Sequence, residues 1–142
     1  MKQLHALAAA LALMLVCSFL AATLVAELFL DAVAVTAVKK GIVIGVMVLI
    51  PAVIATGVSG FLLGRGRAGS MVAAKQRRMP LIALNGLLIL LPAALFLKMK
   101  AVAGEFDALF YTAQAAEIAF GLAQLYLLLR NARTGRALAA RG

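Results

Sequence analysis

The stretch FDALFYTAQAAEIAFGLAQLYLLL, residues Phe106–Leu129, decides the fold. Its 24 residues, rising about 1.5 Å each in a helix, cross the roughly 30 Å hydrocarbon core of a bilayer. Backbone groups in hydrocarbon must satisfy one another, so such a run is a helix. The period-two alternation of a membrane barrel strand is absent.

Three more apolar runs lie upstream: Leu4–Leu30, Gly41–Leu63 and Pro80–Leu97. All are long enough to span, the third only just. Composition agrees. Of 142 residues 65% are hydrophobic and 13% charged, against about 25% charged in ordinary soluble domains. Mean hydropathy is +1.09. The expectation is an all-α membrane protein: one domain over residues 1–142, with four transmembrane helices in an antiparallel bundle. Residues 64–79 form a basic loop and 130–142 a basic tail.

The net charge of +9 follows the positive-inside pattern rather than that of a nucleic-acid binder. With the amino terminus in the cytoplasm, ten basic residues lie inside: Lys2, five in the middle loop and four in the tail. Lys39, Lys40, Lys98 and Lys100 lie outside, with Asp31, Glu105 and Asp107. Glu27 falls near the outer end of the first span. Both termini are therefore predicted to be cytoplasmic. Such bias and compactness suit a bacterial-type inner membrane. The first run also resembles a signal peptide, but it is longer than a typical apolar region and lacks a clean A-x-A site. An uncleaved span is expected.

Loop residues Arg65, Arg67, Lys75, Arg77 and Arg78 are candidates for binding anionic lipid headgroups, at about 1 kcal/mol each. Setting topology is the plainer role for the same residues. Met71–Met79 is expected to form a short helix on the membrane surface. The segment Gly64–Ser70 lacks the lysine and hydroxyl ending of a phosphate loop. Gly41/Gly45, Gly60/Gly64 and Ala8/Ala12 have the small-xxx-small spacing of close helix contacts. Pro51 should loosen the second span, and Pro80 suits the first turn of the third. Pro92 lies near that span's outer end.

The candidate site is in the fourth span. At roughly 100° per residue, Asp107, Tyr111, Gln114, Glu117, Gly121 and Gln124 share one broad face, opposite Leu, Ile, Phe and Ala. That face is predicted to point inward. Glu117 is near mid-membrane, where desolvation penalises the charged form, so its carboxyl is expected to be at least partly protonated at neutral pH. Matching depths suggest an inner cluster of Asn85, Gln124 and Ser59. They also suggest a central one of Glu117 with Gln114 and either Ser18 or Thr23. Three roles are open to Glu117: hydrogen-bonded glue between helices, a proton or cation site, or a contact to another subunit.

Little else suggests chemistry. His5, the only histidine, is expected at the cytoplasmic interface, and one histidine cannot form a bis-histidine haem site. No zinc or other metal spacing is present, and no cofactor is implied. The outer acids and lysines read as a solvated, nearly neutral rim. Cys17 stands alone, so no intramolecular disulfide can form. No serine has a histidine at matching depth, although a serine–lysine pair stays open. An enzyme is not expected.

Glu117–Arg130, EIAFGLAQLYLLLR, resembles a glutamate–glycine–leucine stretch of the small four-span DoxX-like proteins over 14 residues. The family's other features are not seen. Small multidrug transporters also carry a membrane glutamate among four spans, but in their first span. Neither resemblance carries a function over to this chain. The expected function is that of a non-enzymatic accessory or structural subunit, acting through helix contacts within the membrane. Its expected partners are membrane lipids, anionic headgroups included, and another membrane protein or a second copy. The alternative is a small oligomeric proton-coupled transporter or channel using Glu117.

Overall fold

The computed structural model describes residues 1–66 and 69–140. Arg67, one of the expected headgroup contacts, and Arg141 of the expected tail lie outside the described residues. The chain forms α1 (Lys2–Phe29), α2 (Ala32–Gly64), α3 (Ser70–Leu84), a π-helical segment (Asn85–Leu90), α4 (Leu91–Val102) and α5 (Ala108–Ala139). Because α3, the π segment and α4 follow without a break, there are four rods. Each is long and apolar enough to cross a membrane, as a multi-pass membrane protein requires.

The rods exceed the apolar runs at several ends. α2 starts at Ala32 rather than near Gly41, so Lys39 and Lys40 are helical and do not close a connection. The expected basic loop is mostly helix: Met71–Met79 belongs to α3 and runs on into the span, not into a separate surface helix. α5 continues through most of the expected tail. Hydropathy marks the hydrocarbon-compatible part of a helix. It misses polar extensions built from Ala, Lys, Arg, Gln and Met, all good helix formers. At 33 residues, α2 is roughly 50 Å long, well beyond the hydrocarbon core.

Two aspartates start two of these rods. Asp31 accepts a hydrogen bond from the Ala34 amide, and Asp107 one from the Phe110 amide, both at 2.9 Å. Each supplies an acceptor to a first-turn N–H that has no partner within the helix. Asp107 also pairs with Lys100 at 2.7 Å. The Lys100 ammonium, followed by the Phe110 amide, holds the Asp107 carboxyl below its ordinary value of 3.8. A lowered folded-state value means that this stabilisation is complete above the ordinary range and disappears as pH falls through the lowered value. Asp107→Asn should therefore remove part of the acid-side loss of stability. Comparing unfolding of the two proteins between neutral and acidic pH checks this, and parallel curves would refute it.

The helix distortion occurs at Pro92 rather than Pro51. α2 continues as helix through Pro51. Pro80 is well inside α3, contrary to the expected first-turn position. The π segment ends one residue before Leu91, and Pro92 follows in the first turn of α4. Proline has no N–H and its ring collides with the carbonyl four residues back. Widening the preceding turn relieves both problems.

Three small apolar clusters hold the rods together. Ala26, Val35, Leu97, Ala101 and Phe110 pack at one end. Ile42, Val46 and Ala94 form a second cluster, and Val16, Ile82 and Leu128 a third. Two glycines let α1 come close. A Cβ on Gly45 would stand 2.5 Å from the Phe19 ring, and one on Gly121 2.8 Å from a Leu20 methyl. Gly41, the other half of the Gly41/Gly45 motif, has no neighbour within 4 Å. Leucine, isoleucine and phenylalanine side chains remain widely exposed along the rods. Lipid is the fitting solvent for that surface.

Candidate functional site: an ion pair inside the bundle

Glu117 is the tenth residue of α5, about 14 Å along the helix from its first residue. Its Oε2 accepts a hydrogen bond from Lys39 Nζ at 2.8 Å and another from Gln114 Nε2 at 2.9 Å. Lys39 is 1% exposed and Glu117 12%. The rim position expected for Lys39 is therefore wrong. Val35, Lys39, Ile42 and Val46 are all buried residues of α2, at helical spacing. The lysine thus occupies the inward stripe, while its neighbour Lys40 is exposed. That spacing was the available signal for its burial. Hydropathy alone grouped it with the outer charges.

Glu27 approaches from α1. It is partly buried and lies within electrostatic reach of both Lys39 and Glu117. Its Oε1 is buried without a hydrogen-bond partner, and so is Oε1 of Gln114. A cavity of about 60 Å³ borders Glu117. Apart from Glu117 and Thr23, its walls are apolar or glycine, Leu20, Leu49 and Leu90 among them. The expected central cluster therefore exists in part. Glu117 and Gln114 are bonded and Thr23 shares their cavity, but Ser18 is exposed.

Helical phase explains which residues of the expected polar face turn inward. Phe110, Gln114, Gly121, Gln124, Leu128 and Asn131 are buried along α5. Tyr111 is not: it is 53% exposed. One residue past Phe110, it is turned roughly 100° away from that stripe. Tyr126 is also outside, at 57%, and accepts a hydrogen bond from Arg130. The two phenols stand about 22 Å apart along the helix.

A second tie joins α5 to the π segment. Asn85 Nδ2 donates to Gln124 Oε1 at 2.8 Å and to the Phe120 carbonyl at 3.0 Å. Gln124 Nε2 donates in turn to the Ile82 carbonyl at 3.1 Å. This is the expected Asn85–Gln124 pair, without Ser59.

Ser59 belongs to a third tie that matching of depth did not reveal. His5 Nδ1 lies 3.1 Å from the Thr56 carbonyl and 3.0 Å from Ser59 Oγ. His5 Nε2 lies 3.1 Å from Lys75 Nζ. A carbonyl can only accept, so Nδ1 carries the proton and Nε2 accepts from the ammonium. Ser59 thus faces an N–H and donates its own proton to the Ala55 carbonyl. The arrangement does not activate the serine as a nucleophile, and links α1, α2 and α3.

The four described residues of the expected headgroup set have different surroundings. Lys75 is turned toward His5, and Arg78 donates to Thr134 Oγ1 at 3.2 Å. Arg65, stacked over Phe61, and Arg77 remain exposed. Among the described residues, no group of three or more His, Cys, Asp or Glu could hold a metal ion. No protein-family model matches the chain, and no curated protein or solved structure shows significant similarity to it.

Proposed function

We propose that this chain is a non-enzymatic accessory or structural component of a membrane, acting through helix contacts inside the bilayer. One observation carries the reading: Glu117 bridges helices, with Lys39 of α2 and Gln114 on one of its oxygens. The Asn85–Gln124 and His5–Ser59–Lys75 ties likewise join helix to helix. Polar groups used in this way stiffen a bundle. Its apolar outer wall, with Tyr111 and Tyr126 on α5, is then left to meet lipid and a neighbouring membrane protein.

In this reading the bundle is antiparallel with both termini cytoplasmic, in a bacterial-type inner membrane. The excess of basic residues near the His5 end and in the distal part of α5 supports that orientation. Exposed Arg65 and Arg77 face anionic headgroups there. Purification in mild detergent tests the role. A second membrane protein, or a second copy, should co-purify in fixed stoichiometry, and Tyr111→Ala or Tyr126→Ala should weaken that association. Repeated isolation of a lone monomer would count decisively against it.

A further inference from the structure

We propose that Glu27, Lys39, Gln114 and Glu117 form a binding site for one proton between α1, α2 and α5. Charge is the first reason. Two carboxylates and one ammonium leave the site one unit negative, among side chains that are buried or partly buried, where uncompensated charge is costly. One proton makes it neutral. α4 supplies no compensation, since the residues it buries are Ala94, Leu97 and Ala101. The titratable groups facing the site are Glu27 from α1, Lys39 from α2 and Glu117 from α5.

Unmet hydrogen bonds are the second, independent reason. Gln114 is 4% exposed, and its amide nitrogen is committed to Glu117. Its carbonyl oxygen, on the same amide, has no donor. Glu27 Oε1 also lacks one. Lys39 uses only one of its three N–H groups, on Glu117. Both orphaned atoms are acceptors, and a proton on the Glu27 carboxyl turns one of them into a donor. The ammonium within the group disfavours a metal cation and leaves the proton as the fitting ligand.

In this site the carboxylates compete for one ammonium. Glu117 holds it in the structure, so the proton belongs to Glu27, whose free oxygen becomes a donor when protonated. That hydrogen bond joins α1 to the α2–α5 pair. The site extends the structural role proposed above but does not depend on it, because proton occupancy is read on the isolated chain.

Infrared spectroscopy of the full chain in phosphatidylcholine nanodiscs, in sodium-free buffer, tests the site. At neutral pH wild type should show one protonated carboxyl per chain. Glu27→Gln, close to isosteric, should remove it, leaving a neutral Lys39–Glu117 pair. Lys39→Met should raise the number to two. Absence of the band in wild type, or its persistence in Glu27→Gln, would overturn the proposal, whether or not Lys39→Met folds. Loss of the wild-type band on adding sodium chloride, but not choline chloride, would also overturn it, because the site would then be one for a monovalent cation.

Discussion

Lys39→Met should destabilise the bundle by about 3–5 kcal/mol, the usual effect of removing one partner from a buried ion pair. Glu117→Met should cost less. Without Lys39, two carboxylates remain in an apolar interior and must be neutralised by protons. Without Glu117, the ammonium still has Glu27 within electrostatic reach. Lys39→Met/Glu117→Met should recover to within about 1 kcal/mol of wild type, because a well-packed apolar pair commonly matches a buried salt bridge. Equilibrium unfolding of all four proteins in mixed micelles measures the cycle. A double variant no more stable than Lys39→Met would show that the pair is not an isolated electrostatic tie.

Gln124→Leu is the second large effect expected, at about 1–3 kcal/mol. It removes the acceptor for Asn85 Nδ2 and the donor to the Ile82 carbonyl. That carbonyl lies three residues before the π segment. Loss should therefore be local, with faster amide exchange through Asn85–Leu90 than in α1 or α2. Asn85→Leu should have a similar but smaller effect, since the Gln124–Ile82 bond survives it. Uniform acceleration of exchange across all four rods would contradict a local clamp.

The two substitutions test different things. The Lys39 series asks how charge is balanced inside the bundle. The Gln124 series asks how a proline-distorted helix is held in register against its neighbour. Both concern links between helices far apart in sequence, and each was only half legible there. Glu117 was visible because a carboxylate interrupts an apolar run. Its partner was hidden because Lys39 stands next to Lys40, and two lysines together read as a helix boundary. The Asp31 cap starts α2 at Ala32, seven residues before Lys39, so that about two turns of helix precede the lysine and set it on the inward stripe. His5 was equally hidden. A lone histidine near a terminus has no depth partner until α1 and α2 pack with Ser59 and Thr56 facing it.

The sequence by itself determined that this chain makes four long apolar helices. Length and hydropathy suffice for that, since hydrocarbon leaves the backbone no other hydrogen-bond partners. It also singled out Glu117, Gln114, Asn85 and Gln124 as groups that hydrocarbon would not accept unpaired. Only the tertiary structure decided which polar groups meet. Helical phase sent Tyr111 outward and Lys39 inward, the close approach of α1 over Gly45 and Gly121 brought Glu27 toward them, and Asn85, at the start of the distortion before Pro92, met Gln124. Partner choice depends on rotation and offset between helices. These are set by side-chain packing over the whole interface, not by any one span.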